Sequence, residues 1–283
     1  MRKLSIAAVL ALAAVLAVAG IAYATNTYVV DLAKSKSASK GSLKKPSPAS
    51  FDFGYGVGDT EDLRPQVITK YFIGAEGLET YPKAFKSCTF ADATNPNAKS
   101  PAALSAKCRK AIIGSGTIHN EAGAPNDRTQ KLTCDVLLTL INISTGDPNY
   151  PETVKQVKKR GGITIRIDQY QTEDGQDDPA KCPPVDLHQA LAAPYYDVKI
   201  GGVKAAELRF NVPPTLAHPS GLDNSVKHVV SHIKKKLAKT KVAGKRRTVG
   251  FYSSVGRKGK TRTVRVTYVD ESGHKATATK EAK

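Results

Sequence analysis

Short runs in which apolar and polar residues alternate follow one another along most of the chain. Every second residue is apolar over residues 132–140 and again over 163–167. A period of two is typical of strands that bury one face, so Cys134 is expected to point inward with its apolar neighbours. About ten such strands favour an all-β protein, a β-sandwich of immunoglobulin-like or jelly-roll-like type that buries two apolar faces against each other.

The last quarter of the chain continues this pattern. Residues 247–254, 261–269 and 274–280 are predicted to form three strands joined by short turns, a C-terminal β-meander. Helical patterns are confined to two short segments, 101–110 and 151–159, and each begins with proline. We therefore expect a sandwich over residues 51–220 and a basic meander over 221–283, which either stands alone or completes the same domain.

The N-terminus has the features of an export signal. Arg2 and Lys3 precede an uncharged run of 19 residues, and Ala22-Tyr23-Ala24 has the small-x-small pattern that signal peptidase requires. Residues 1–24 are expected to be removed, with an uncleaved N-terminal anchor as the alternative, because a run of this length can span a bilayer. No second run of this kind follows. The cleaved chain is therefore expected to have no transmembrane span and to be secreted or associated with the cell envelope.

A polar, basic stretch follows the predicted signal. Residues 34–50 contain almost no apolar side chains, so burial cannot offset the entropy lost on ordering them. Residues 25–50 are therefore predicted to be a disordered basic linker, and the folded part is expected to begin near Phe51.

Cysteine chemistry agrees with export. The chain has an even set of four cysteines, and thiols outside the cytoplasm oxidise, so two disulfides are expected. Three connectivities are possible, and pairing in sequence order is favoured because it closes the shorter loops. A metal site is the rival interpretation, but no Cys-x-x-Cys or Cys-x-x-His spacing supports it. The favoured pairs are Cys88–Cys108 and Cys134–Cys182.

The positive charge is concentrated near the C-terminus. Of a formal net charge of +18, residues 225–283 supply 17 Lys and Arg against three acids. Such a field attracts polyanions through counterion release without reading a sequence, so an anionic cell-surface polymer or lipid headgroups are the expected partners, not a specific nucleic acid. Alternatively, the lysines keep strand edges from pairing and keep the protein soluble. The predicted polyanion-binding residues are Lys234, Lys235, Lys236, Lys245, Arg246, Arg247, Arg257, Lys258 and Lys260, and Lys239 and Lys241 belong to the same recurrence.

No catalytic constellation emerges from the remaining residues. Gly114-Ser115-Gly116 lacks the spacing of a nucleophile elbow, and its glycines are interpreted as relief of crowding within a strand. His228 and His232 are four residues apart and share one face, which makes a possible two-ligand metal half-site. The glutamate of the zinc-protease pattern is absent, so two surface histidines are the preferred interpretation.

The one dense carboxylate cluster comprises Asp168, Glu173, Asp174, Asp177 and Asp178. Its spacing is not that of the twelve-residue calcium loop, and the chain has no Trp to serve as a sugar platform, so a solvated loop is preferred over a calcium site or a glycosidase pair. We therefore expect a non-enzymatic protein without cofactor or metal. The alternative is an extracellular glycan-acting hydrolase or a lectin-like module that uses residues of this loop.

Residues 71–118 carry a family resemblance. They contain a strand, the sequence Gly74-Ala75-Glu76-Gly77-Leu78, the two cysteines Cys88 and Cys108, and Gly114-Ser115-Gly116. This resembles a group of uncharacterised secreted proteins of high-GC Gram-positive, actinobacterial-type bacteria, in which two cysteines bracket a variable loop before a Gly-Ser-Gly strand. Those proteins also end in a hairpin like residues 263–270, although many carry Pro where Arg109 stands here. The resemblance implies export and a β-rich fold, and it implies no activity.

Overall fold

A computed structural model describes residues 26–31, 41–151, 154–182, 187–257, 259 and 261–282. Within these ranges the chain forms sixteen strands and four short α-helices, so the all-β prediction is confirmed. The predicted signal, residues 1–24, lies outside the described residues, as do Lys258 and Lys260. The strands are β1 (Asn26–Asp31), β2 (Ser47–Ala49), β3 (Phe51–Asp59), β4 (Ile68–Ala75), β5 (Leu78–Thr80), β6 (Ile112–Gly123), β7 (Leu132–Asn142), β8 (Gly162–Gln169), β9 (Gln189–Ile200), β10 (Val203–Asn211), β11 (Asp223–Ile233), β12 (Leu237–Val242), β13 (Lys245–Gly250), β14 (Tyr252–Ser254), β15 (Arg262–Asp270) and β16 (Lys275–Ala282).

Eleven strands form one antiparallel sheet in the order β1-β3-β11-β6-β7-β8-β9-β10-β4-β15-β16. β9 joins its two halves, because residues up to Pro194 pair with β8 and residues from Tyr195 pair with β10. The outermost strands approach each other, and the hydroxyl of Tyr268 donates to the carbonyl oxygen of Val29 at 2.6 Å. The halves therefore face each other across a shared core. Since the ladder is continuous through β9, neither the immunoglobulin-like nor the jelly-roll-like type is confirmed.

The remaining elements are small. β2, β14 and β5 form a three-stranded sheet, and β12 pairs only with β13 among the described residues. The two segments with helical patterns contain helices, and two further one-turn helices were not predicted. No helix in the described part of the chain is both long enough and apolar enough to cross a membrane. The helices are α1 (Phe90–Ala93), α2 (Ala106–Ala111), α3 (Val154–Arg160) and α4 (Pro214–Ala217).

Strands from residues 221–283 are interleaved with those of residues 51–220. β11 lies between β3 and β6, and β15 pairs with β4. The hairpin β15–β16 was predicted, but residues 247–254 are not the single first strand of a meander. They divide between β13 and β14, which belong to different sheets. The chain turns sharply at Gly250, where a Cβ atom would lie 2.4 Å from the carbonyl oxygen of Tyr252.

The described parts of residues 25–50 differ from the predicted disordered linker. β1 adds to the edge of the large sheet by pairing with β3, and β2 pairs with β14. Tyr28 on β1 packs against Tyr268 with ring centroids 5.0 Å apart. Aromatic packing and ladder hydrogen bonds offset the ordering entropy that composition alone leaves uncompensated. The folded part thus begins before Phe51, and residues 32–40 lie outside the described residues.

Two apolar cores hold the fold together. The larger core lies between the halves of the sheet and contains the inward positions of 134–140 and 163–167, as the alternation predicted. The smaller core packs Ile141 of β7 and Ala192 of β9 beneath α1, α2 and α3. β8 lies between these two strands, and every one of its residues is buried. One disulfide lies in each core, and both join the favoured pairs, Cys88–Cys108 and Cys134–Cys182.

Candidate functional site

The predicted polyanion-binding residues fall into separate groups. Lys245, Arg246 and Arg247 lie on β13, in the hairpin that β13 forms with β12. Lys234, Lys235 and Lys236 lie in the segment between β11 and β12, and Arg257 follows β14. Lys258 and Lys260 lie outside the described residues.

The basic hairpin, residues 237–250, presents one positively charged face. Its two-residue turn is Ala243-Gly244, and both residues have positive φ, as the tight turns that suit strand twist require. The register places Lys241 directly opposite Arg246 and Lys239 opposite Thr248. All four of these side chains are exposed, whereas Val249 on the other face is fully buried. The hairpin thus carries Lys239, Lys241 and Arg246 on its solvent side.

These cations have no acidic partner in the described part of the chain. No carboxylate oxygen lies within 4.0 Å of the charged nitrogens of Lys239, Lys241 or Arg246. Like charges directly opposite each other destabilise a strand pair. Their repulsion is left uncompensated here, which makes the hairpin face a candidate site for an anion supplied from outside. Lys239 and Lys241 belong to the series of basic residues that recurs in the sequence. Their alignment with Arg246 follows only from the register of the two strands.

The lysine triplet directly precedes the hairpin and lies against the start of β6. The Lys234 amide donates to the carbonyl oxygen of Ile113 at 3.0 Å, and Lys236 Nζ donates to the carbonyl oxygen of Lys110 at 2.8 Å. Burial, and then the charge of Lys234, lowers the pKa of Lys236. The ammonium group of Lys236 therefore already donates to a carbonyl group of the protein, whereas Lys234 and Lys235 are exposed.

In the described structure, no group of three or more potential metal ligands includes the paired histidines of β11. His232 Nδ1 lies 2.7 Å from Asp52 Oδ1, and His228 stands opposite His119, whose Nδ1 contacts Asp135. Among the described residues, Asp92 with the two sulfurs of Cys88–Cys108 is the one group of three or more potential ligands close enough to share an ion. Those sulfurs are joined to each other. The preferred interpretation, histidines on the outer face of a strand, agrees with this geometry.

Ser115 lies opposite His232 in the ladder, and His232 lies opposite Asp52. This row has the residue types of a hydrolase triad, but no hydrogen bond joins His232 to Ser115 in the described structure. The row also lies on a strand face whose backbone amides serve the ladder, so no oxyanion hole accompanies it. The glycines beside Ser115 relieve crowding, as predicted. A Cβ at Gly116 would lie 1.9 Å from the carbonyl oxygen of Val230.

Two acidic residues of the 168–178 cluster have buried partners. Asp168 is fully buried and bridges Arg166 and His188, and the second ring nitrogen of His188 lies 2.8 Å from Asp177 Oδ1. Asp178 caps the amide of Ala180 at 2.9 Å. The carboxylates therefore do not converge on a calcium site or form a free pair facing a sugar. Asp168 lies on β8 and is buried, so the prediction of a solvated loop is wrong for this residue, whereas Glu173 and Asp174 are exposed.

An interior cavity of about 150 Å³ lies between the halves of the large sheet. Its wall is mostly aliphatic and aromatic, with inward side chains from most strands of that sheet. Alternation in the sequence predicts which residues point inward. It does not predict whether they fill the space between the two halves, so no sequence signal indicated this cavity.

Tyrosines packed in the larger core give an expected alkaline transition. Burial raises the pKa of Tyr252 to about 12 and raises that of Tyr55, Tyr71, Tyr195 and Tyr268 above the ordinary value of 10.0. A group whose pKa is higher in the folded state stabilises that state below its unfolded pKa and loses this contribution as the pH rises. Stability should therefore be constant toward pH 10 and fall between about pH 10 and 12.

Tyrosinate absorbance and far-ultraviolet circular dichroism recorded together across this pH range check the expectation. The buried tyrosines should ionise in the same step in which strand structure is lost. Smooth ionisation of all tyrosines while the dichroism stays native would contradict it.

Comparison of the chain with models of known protein families, with curated proteins and with solved structures gives no match.

Proposed function

We propose that this protein is exported and binds linear anionic polymers through the exposed face of the basic hairpin, without catalysing a reaction. The observation that carries this proposal is the alignment of Lys239, Lys241 and Arg246 on one solvent-facing surface without an acidic partner in the described structure. Such an arrangement gains affinity by releasing the counterions of a polyanion. The exposed Lys234 and Lys235 add positive charge in the segment that leads into β12.

The shape of the hairpin favours a polymer over lipid headgroups. Its tip is Ala243-Gly244, which offers no large apolar side chain to enter a membrane interface. The exposed Leu237 lies at the opposite end of β12 from the tip. Residues two apart on a strand are about 7 Å apart, so Lys239 and Lys241 present charges at regular intervals along a line. Regular charge spacing suits a chain with repeating phosphate, sulfate or carboxylate groups.

Two features support export. Residues 1–24 have the charge, length and cleavage pattern of a signal peptide. Two disulfides lie buried in the fold, and such bonds persist in oxidising compartments. In the described structure, no contact in the acidic loop favours the glycan-acting alternative.

The test is a salt series with dextran sulfate as the polymer. The variant Lys239→Gln, Lys241→Gln, Arg246→Gln should show a shallower slope of log association constant against log salt, by about two to three, because about one counterion is released per basic contact. The matched control is Lys99→Gln, Lys155→Gln, Lys158→Gln. It removes the same charge from exposed lysines elsewhere and should change the slope by less than about one.

Equal slopes for the two triple variants would show that net charge, not the hairpin, attracts the polymer, and would refute the proposal. A parallel arm uses vesicles that contain anionic phosphatidylglycerol. Vesicle binding that exceeds polymer binding at the same salt, and that depends on the hairpin, would replace the polymer with lipid headgroups.

A further inference from the structure

Several polar atoms in the wall of the interior cavity have no hydrogen-bond partner among the described residues. They are the hydroxyl of Tyr71 and the amide oxygens of Asn120 and Asn224. Tyr71 is 2% exposed, Asn120 3% and Asn224 9%. A buried polar atom without a partner costs about 1–3 kcal/mol, so proteins rarely retain several around one space without a use.

Arg262 gives the cavity a buried positive charge. It begins β15 on the same inward face as Val264, and its side chain lines the cavity. Nη1 donates to the carbonyl oxygen of Glu76 at 2.6 Å, and Nη2 donates to Ser254 Oγ at 2.7 Å. Both partners are uncharged groups, and two bonds use only part of the five donors of a guanidinium.

No carboxylate in the described structure lies within ion-pair distance of Arg262, which is 7% exposed. Burial, and then the nearby charge of Arg257, lowers the pKa of Arg262 to about 10. The Glu76 carboxylate, which accepts from the Thr263 amide, opposes this shift only in part and forms no ion pair with the guanidinium. A carboxylate that entered the cavity would supply a paired counter-charge where the surroundings exclude water, and such charge-assisted hydrogen bonds are about twice as strong as neutral ones.

Arg262 and the two asparagines lie toward opposite ends of the cavity. At the Arg262 end, Leu78 and Tyr252 from the three-stranded sheet contribute to the wall. At the other end, Asn224 lies beside Leu216, and its Nδ2 donates to the Leu216 carbonyl oxygen at 2.9 Å. The strand register places Asn120 opposite Val226, two residues from Asn224. The stretch between the ends is aliphatic and aromatic, and the asparagine end limits its length.

We infer that this cavity binds a small amphipathic monocarboxylate, with the carboxylate on Arg262 and the alkyl or single-ring body in the apolar stretch. A cavity of about 150 Å³ is the size that accepts one benzene-sized apolar group. A two-chain lipid is therefore too large. This site is separate from the basic hairpin and does not depend on its function.

The first experiment compares benzoate with benzyl alcohol by calorimetric titration of the full, disulfide-bonded protein. The two ligands have the same ring, and a purely apolar cavity would favour the alcohol because the charged group is costlier to desolvate. Benzoate is expected to bind about tenfold or more tightly than benzyl alcohol, the effect of one charge-assisted hydrogen bond. Tighter binding of benzyl alcohol, or no benzoate binding, overturns the inference, and this comparison needs no variant to fold.

Variants then assign the roles. Arg262→Met should abolish the preference for benzoate and leave benzyl alcohol affinity within about threefold, since the apolar wall is unchanged. Arg265→Met is the matched control on the same strand. That arginine faces outward and donates to Glu207 Oε2 at 2.6 Å, so the benzoate preference should persist. Ile165→Phe should fill the cavity and weaken both ligands. Benzoate affinity that resists both Arg262→Met and Ile165→Phe would place the ligand elsewhere and refute the site.

Discussion

Replacing Arg166 with methionine is expected to lower the free energy of unfolding by about 3–5 kcal/mol. Arg166 is 1% exposed and forms two hydrogen bonds with Asp168, from Nε at 2.8 Å and from Nη2 at 2.7 Å. Its remaining donors reach carbonyl oxygens of Ala93, Asn95 and Ala98 in the segment that covers the outer face of the sheet. Methionine would remove the arginine charge from the buried Asp168 carboxylate, which keeps His188 as a partner, and would leave these carbonyl groups without their donor.

The control is a second arginine that also pairs with an acidic residue two positions away on its own strand. Arg209 pairs with Glu207, two residues earlier on its strand, at 2.8 Å, just as Arg166 pairs with Asp168 two residues later. The Arg209 side chain is 39% exposed, so Arg209→Met should cost less than about 1 kcal/mol. Urea unfolding followed by circular dichroism measures both. Equal losses for the two variants would contradict the idea that burial makes the Arg166 pair important.

The disulfides should have the next largest effect. The double substitution Cys134→Ala, Cys182→Ala is expected to cost about 4 kcal/mol, and Cys88→Ala, Cys108→Ala about 3 kcal/mol, because the loss of loop-closure entropy grows with the separation between cysteines. The separations are 48 and 20 residues. Urea midpoints measured with and without dithiothreitol check the ranking. In a variant with all four cysteines replaced by alanine, the reductant should not change the urea midpoint. This control separates the loss of the bonds from a general effect of the reagent.

The two bonds should also differ in what they hold. Cys88 and Cys108 belong to the smaller outer core, so amide exchange after their removal should increase mainly over residues 85–111. Cys134 and Cys182 belong to the larger core, so their loss should weaken the whole sheet. Protein recovered from outside the cell should contain no free thiol. Four free thiols in the native protein, with an unchanged unfolding midpoint in dithiothreitol, would contradict both the bonds and the proposed export.

The sequence by itself determined the local features. Period-two alternation predicted that Cys134 and its neighbours point inward, because adjacent residues of a strand necessarily point to opposite faces. Cysteine order predicted both disulfides, and turn residues around Gly273 predicted the β15–β16 hairpin. In each case the deciding physics acts between residues close together in the chain or follows from residue type alone.

Tertiary structure decided what lies side by side. Asp168 carried the signature of a solvated loop, yet Arg166 and the segment around Ala93 bury it in a charge network. The β12–β13 register aligns Lys241 with Arg246. Arg262 lies 186 residues from its hydrogen-bond partner Glu76, and composition cannot encode such a pairing. Strand pairing over long separations, and the space left between two facing half-sheets, depend on how all strands pack together. Only the folded chain therefore reveals the cavity, the arginine in its wall and the aligned cations of the hairpin.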